Sequence, residues 1–100
     1  VLLPISDYIP RFCSELKVHK EIELEAQRIL ASVGSEAMIS RGPTGIAAAA
    51  IYLAAKRQKK DRTQSEVAQV AGVTEVTIRN RYKELCSHLG FDTQDPTKNL

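Results

Sequence analysis

The stretch that most constrains the fold is an alanine-rich run at residues 45–55, Gly-Ile-Ala-Ala-Ala-Ala-Ile-Tyr-Leu-Ala-Ala. It is apolar on every side, yet much shorter than the roughly 20 residues that a membrane-spanning helix needs. A helix that is apolar all round in a globular protein is a buried one, and alanine favours helix while adding little bulk. Pro43 suits the first helical position, and the charged run at residues 56–60 suits the negative end of a helix dipole. The sequence therefore predicts a buried central helix from Pro43 to about Gln58 in an all-α domain.

Length and composition are those of one folded domain. The 100 residues are 43% hydrophobic, and no secretory signal or membrane span is visible. The only methionine is Met38, so we expect Val1 to mark a cut inside a longer protein. Cys13 and Cys86 form no CxxC pair, and two thiols without grouped histidines make no zinc site. We expect both to be buried free thiols.

Basic residues are concentrated after the central helix. Residues 1–40 hold four Lys and Arg against six Asp and Glu, whereas residues 41–100 hold ten against six. The two parts therefore carry formal charges of −2 and +4. This excess is a mild indication of a polyanionic partner.

Two helices are predicted before the central one. Asp7 can cap a short helix from Tyr8 to about Leu16, with Pro10 in the first turn, where a backbone donor has no partner to lose. A second helix is predicted from Lys20 to about Val33, and Gly34-Ser35 would end it. Its apolar stripe has helical spacing and consists of Ile22, Ala26, Ile29, Leu30 and Val33.

Three further expectations concern the remaining segments. Met38-Ile39 should pack into the core. Residues 91–100, with Pro96, are interpreted as a flexible C-terminal tail. No stretch alternates apolar and polar residues for long, and no Asn-Gly or Asp-Gly turn occurs, so no strand is predicted.

The most informative stretch predicts a helix-turn-helix at about residues 63–89. Thr63-Gln-Ser-Glu66 is a capping box that opens a short helix from Gln64 to about Val70. Gly72 can adopt the left-handed conformation that ends it. Thr74 then caps a longer helix from about Glu75 to Leu89, and two helices joined by a tight turn with glycine form this motif.

The outer face of the longer helix suggests base recognition. If Ile78 points to the core, Tyr82, Leu85 and Leu89 fall within about 40° of it. Arginine can pair with a guanine edge, and an apolar group suits a thymine methyl. The candidate base-reading residues are Val76, Thr77, Arg79 and Asn80. The candidate phosphate-contacting residues are Lys60, Arg62, Thr63, Gln64, Thr74, Arg81 and Lys83. A helix pair that touches no DNA fits the same geometry.

Long blocks of the sequence resemble a known family. They are residues 42–54, Gly-Pro-Thr-Gly-Ile-Ala-Ala-Ala-Ala-Ile-Tyr-Leu-Ala, residues 62–64, Arg-Thr-Gln, and residues 71–85, Ala-Gly-Val-Thr-Glu-Val-Thr-Ile-Arg-Asn-Arg-Tyr-Lys-Glu-Leu. These blocks resemble archaeal transcription factor B, the counterpart of the eukaryotic general transcription initiation factor IIB. Residues 7–16 fit the start of the second, C-terminal cyclin-like repeat of that family. The resemblance covers about residues 4 to 90.

The resemblance implies a five-helix cyclin-like domain at residues 1–90, with the alanine-rich helix third. It implies that the helix-turn-helix reads a purine-rich promoter element upstream of the TATA box, with Val76 and Arg79 as the reading pair. It also implies binding to the complex of TATA-binding protein with double-stranded DNA. RNA polymerase recruitment would run through the full-length protein, because the zinc ribbon, linker and first repeat of the family are not in this chain. The protein would act inside the cell, in the cytoplasm if archaeal or the nucleus if eukaryotic.

Two other classes of function are weighed against this one. A cyclin-like fold can serve only to bind proteins, as in cyclins that dock kinases, and would then show weak, base-blind DNA binding and an exposed apolar groove. Catalysis is not expected, because the sequence has no phosphate loop, no paired carboxylates on an apolar face and no grouped His, Cys and Asp. His19 and His88 are single and far apart. We therefore predict no catalytic residue, metal site or cofactor.

Overall fold

The computed structural model describes residues 5–33, 42–60 and 62–99. Within these ranges the regular structure is helical, apart from one isolated antiparallel bridge between Phe91 and Asn99. This confirms the predicted all-α class, and the arrangement is consistent with a cyclin-like domain. The helices are α1 (Ile5–Leu16), α2 (Lys20–Val33), α3 (Pro43–Arg57), α4 (Gln64–Ala71) and α5 (Glu75–Leu89).

Helix α3 is the centre of the domain. All of its residues from Gly45 to Ala55 are buried, and the four alanines at positions 47–50 have no exposed surface. The other four helices of the described ranges pack against it, because alanine side chains let their backbones come close. The predicted central helix is confirmed. No helix in the described ranges has both the length and the apolarity needed to cross a bilayer.

Of the two helices before α3, α2 agrees with the prediction and α1 starts earlier than predicted. Helix α2 has the predicted bounds, and its stripe of five apolar residues is buried. Helix α1 begins at Ile5, so Asp7 is not its cap and Pro10 lies inside the helix. Proline there forfeits the bond that an N–H would give to the carbonyl of Ser6. The expectations for Gly34-Ser35 and Met38-Ile39 fall outside the described residues.

The segment after Gly90, which we predicted to be a flexible tail, makes several backbone hydrogen bonds. The Phe91 N–H donates to the Cys86 carbonyl at 2.8 Å, which closes α5. The chain then turns back, and the Asp92 N–H donates to the Lys98 carbonyl at 2.9 Å. Pro96 is buried in this turn. Residues 91–99 therefore form a compact turn packed on the helices, which we call the C-terminal strap.

Both cysteines are buried and free, as predicted. Burial, with a smaller contribution from the nearby Glu23 carboxylate, raises the pKa of Cys13 to about 12. Burial also raises the pKa of Cys86. Because the thiolate is the reactive form, both side chains act as core residues.

Candidate nucleic-acid interface

Helix α4 begins with the predicted capping box. The Thr63 Oγ1 accepts the Glu66 N–H at 3.0 Å, and the Glu66 carboxylate accepts the Thr63 N–H at 3.3 Å. Two backbone donors that the helix leaves unpaired are thereby satisfied. The Thr63 hydroxyl also donates to Glu66 at 3.1 Å. Val67 and Ala68 are buried and fasten this short helix to the core.

The turn between α4 and α5 depends on Gly72. Its φ is 73° and its ψ is 30°, in the left-handed region, and its N–H donates to the Ala68 carbonyl. The Val73 N–H reaches the same carbonyl at 3.0 Å. Glycine adopts this conformation without the steric penalty of a Cβ, so the turn can redirect the chain into α5 within a few residues.

Replacing Gly72 by alanine should therefore destabilise the domain by about 1–2 kcal/mol, the usual cost of a left-handed residue with a Cβ. Apart from Gly72 and its two chain neighbours, nothing lies within 4 Å of the position that a Cβ would take, so the cost comes from the backbone alone. Gly72→Asn should lose less stability than Gly72→Ala, because asparagine tolerates the left-handed conformation better than alanine does. Urea unfolding of the three proteins measures the effect, and equal stabilities would contradict the assigned turn.

Helix α5 presents the outer face that the sequence predicts. Its cap is Thr74, whose Oγ1 accepts the Thr77 N–H at 3.2 Å. Its inner face is buried and consists of Ile78, Tyr82, Leu85 and Cys86. On the other side Arg79, Asn80 and Lys83 are exposed. Val76 is 53% exposed, and in the described residues only Leu24 joins it as an exposed large hydrophobic side chain.

Two candidates on α5 lie on a different flank. Thr77 is half-buried, and its hydroxyl is 3.0 Å from that of Thr74. The Arg81 side chain is only 18% exposed and its guanidinium is 3.2 Å from the Glu84 carboxylate. Both side chains lie beside the first turn of α3. At about 100° per residue around the helix axis, Thr77 and Arg81 lie about 100° and 60° from Ile78, on the side opposite to Arg79.

Gly45 is a position whose role the sequence reasoning missed. A Cβ built there would lie 3.1 Å from the Thr77 Cγ2 and 3.6 Å from the Arg81 Cγ. The glycine thus lets α3 approach the start of α5 closely, and so helps to set where α5 lies. The available signal was a glycine inside a strong helix-forming run, which costs stability and calls for a packing reason.

The candidate phosphate contacts are only partly brought together. Gln64 and Lys83 lie with Arg79 along one groove beside α5. Thr63 and Thr74 stand at the N-termini of α4 and α5. Lys60 is exposed and Arg62 half-buried in the connection before α4, and neither lines that groove. In the described residues no group of three or more His, Cys, Asp or Glu side chains could hold a metal ion.

These features define an all-α domain that ends in two capped helices joined by a glycine turn, with an exposed Arg and Val on the second. A family model described as the transcription factor TFIIB repeat matches residues 3–88. The chain therefore belongs to the TFIIB repeat family, as the resemblance predicted.

Several archaeal proteins named transcription initiation factor IIB are similar to the chain. That of Methanococcus maripaludis strain C5 is 62% identical over 87 residues, covering 86% of this chain and 26% of the relative. That of Methanocaldococcus jannaschii is 59% identical over 87 residues, covering 86% of this chain and 13% of the relative. That of Methanoculleus marisnigri is 55% identical over 94 residues, covering 91% of this chain and 28% of the relative. The chain thus spans about a quarter or less of the length of these relatives.

Proposed function

We propose that this chain is the promoter-binding, second cyclin-like repeat of a general transcription initiation factor. Helix α5 enters the major groove at the element upstream of the TATA box, and its N-terminal half contacts the bases. The observation that carries the proposal is the exposed Val76 beside the exposed Arg79. An apolar side chain left in water next to a cation is an unusual outer face for a helix, but it is well suited to base edges.

Each exposed side chain has a chemical partner in DNA. The Arg79 guanidinium can pair with guanine O6 and N7, the Val76 methyls with a thymine methyl, and the Asn80 amide with adenine N6 and N7. Residues near the start of a recognition helix usually make such contacts. Thr77 remains a candidate at the edge of this face, although its contacts with Thr74 and α3 favour a supporting role.

The phosphate contacts divide by position. Thr63, Gln64 and Thr74 stand at the N-termini of α4 and α5, where the positive end of a helix dipole favours an anion. Lys60, Arg62 and Lys83 add charge that attracts the backbone without reading sequence. Arg81 lies on the flank next to α3, at the border of the proposed DNA-facing surface. Its guanidinium is already paired with Glu84.

The partners follow from the same proposal. TATA-binding protein on promoter DNA would hold this repeat beside its element inside the cell, and RNA polymerase would be recruited through the remainder of a longer protein. No catalytic residue and no cofactor take part in this function.

Fluorescence anisotropy on labelled duplexes tests the proposal. The chain is titrated, at one fixed salt concentration, onto a duplex with the upstream element beside a TATA box and onto one with that element scrambled. Each titration is repeated with TATA-binding protein. We expect tighter binding to the intact element, most clearly with TATA-binding protein present. Equal, weak binding to both duplexes in all four titrations would reject base reading and favour a protein-binding cyclin-like module.

A further inference from the structure

A groove of about 530 Å³ runs beside α5, where the C-terminal strap meets the helices. Helix α3 contributes Lys56, α4 contributes Gln64, and α5 contributes Arg79 and Lys83. The strap forms the remaining wall with Thr93 and Gln94. Three cations therefore converge on this groove, and no lining residue is Asp or Glu. Such a lining favours an anion.

The groove continues past the end of α3. A neighbouring depression of about 410 Å³ shares Lys56 and Gln94 with it and adds Lys59. Asp95 also lines this depression, and its carboxylate accepts the Thr97 N–H at 3.2 Å and lies 3.9 Å from the Lys98 Nζ. The two depressions together form a track lined by four basic side chains. An open track suits a polyanionic strand better than a small ion in a closed cavity.

The strap is fixed to the recognition helix. The Tyr82 hydroxyl, on α5, donates to the Thr93 carbonyl, and the Tyr82 ring packs edge-on against Tyr52 of α3 at 5.2 Å between centroids. Burial raises the pKa of Tyr82, so the hydroxyl keeps the proton that it donates. Gln94 is thereby held next to Arg79 and Lys83.

A second anchor lies at the start of the strap. The Arg57 guanidinium lies 4.3 Å from the centroid of the Phe91 ring, a cation–π arrangement. Arg57 also pairs with Glu25 at 3.2 Å, which links the strap through α3 to α2. The match to the family model ends at residue 88, so the strap lies outside the part of the chain that the family describes.

We infer that the C-terminal strap is part of the nucleic-acid interface, and that Lys56, Lys83 and Gln94 bind a DNA phosphodiester in this groove, beside the bases contacted by Arg79. The inference rests on the proposed function and extends the interface to residues 91–99. The two ammonium groups act as point charges on the phosphate, and the Gln94 amide donates a directed hydrogen bond. The Lys56 Nζ is already placed at the groove, 5.4 Å from the centroid of the Tyr52 ring.

Two surface substitutions test the inference. Gln94→Glu keeps the shape of the side chain and places a negative charge in the groove. It should weaken binding to intact and scrambled elements alike, by about three- to ten-fold, because like charges repel. Lys56→Gln should make the negative slope of log K against log salt shallower by about 0.9, the value for one lost phosphate contact. The matched controls are Gln27→Glu and Lys20→Gln on α2, which should leave the affinity for both elements and the salt dependence close to those of the parent protein, apart from a small uniform charge effect.

The outcomes separate this inference from the proposed function. If Arg79→Ala abolishes the preference for the intact element while Gln94→Glu and Lys56→Gln behave like their controls, the groove is rejected and base reading stands. If neither element is preferred but the salt dependence of binding becomes shallower with Lys56→Gln, the groove stands and base reading is rejected. Inorganic phosphate is titrated at constant ionic strength as a further arm. Saturable displacement of DNA from the parent, but not from Gln94→Glu, would make this a small-anion site and overturn the inference.

Discussion

Replacing Ala49 by leucine is expected to lower the free energy of unfolding by about 1–3 kcal/mol, because added methylene groups in a filled core force side chains off their rotamers and shift backbones. Ala49 has no exposed surface and lies in the helix that all the other described helices contact. In a domain of this size, each kcal/mol should lower the melting temperature by roughly 4–8 °C. Thermal unfolding followed by circular dichroism measures the change.

The matched control is Ala31→Leu, which makes the same change at an exposed position on α2. Exposed substitutions of this kind usually stay within about 0.5 kcal/mol of the parent. A clear loss in Ala49→Leu with none in Ala31→Leu would show that close packing, and not leucine itself, is responsible. If both variants melt with the parent, α3 is not packed as tightly as the structure indicates.

The central helix and α5 could be predicted because their signals are local. An unbroken apolar run can only be buried, and the Thr74 cap with the spacing from Ile78 to Leu85 sets both the start of α5 and the side that faces inward. The start of α1 was predicted wrongly for a related reason. Asp7 and Pro10 look like a cap and a first turn, but the helix begins at Ile5 and continues through Pro10, at the loss of one hydrogen bond.

The C-terminal strap could not be predicted because its contacts join residues with no periodic pattern. Tyr82 binds the carbonyl of Thr93, and Arg57 stacks on Phe91. A backbone carbonyl carries no sequence signal, and an Arg–aromatic pair far apart in sequence carries none either. The groove beside α5 was missed for the same reason, since one of its walls is the strap.

Within the candidate interface, simple rotation about α5 predicted the exposed positions of Val76, Arg79 and Asn80. Thr77 was predicted to read bases with them and Arg81 to contact phosphate, although the rotation places both on the opposite flank. What occupies that flank is the first turn of α3 at Gly45. Which helix lies there depends on the arrangement of the whole domain, so no local pattern could have shown that Gly45 packs against the start of α5.

Replacing Arg79 by alanine should weaken binding to the intact upstream element by roughly ten-fold or more. A good Arg–guanine pair is worth about 1–3 kcal/mol of discrimination, and about 1.4 kcal/mol is a factor of ten. Binding to the scrambled element should change little beyond the effect of one lost charge. Arg11→Ala, at an exposed position on α1, removes the same charge from another helix and should leave the preference for the intact element as it is in the parent.

Val76 provides an independent test of the same surface. Val76→Ala removes only apolar contact and should lose less affinity than Arg79→Ala, whereas Val76→Glu should lose more, because it buries an unpaired charge against DNA. All three variants should remain folded, since Arg79 and Val76 are exposed. The measurement is affinity for both elements with TATA-binding protein at one salt concentration. If Arg79→Ala weakens binding to the intact and scrambled elements equally, Arg79 holds a phosphate and α5 does not read bases.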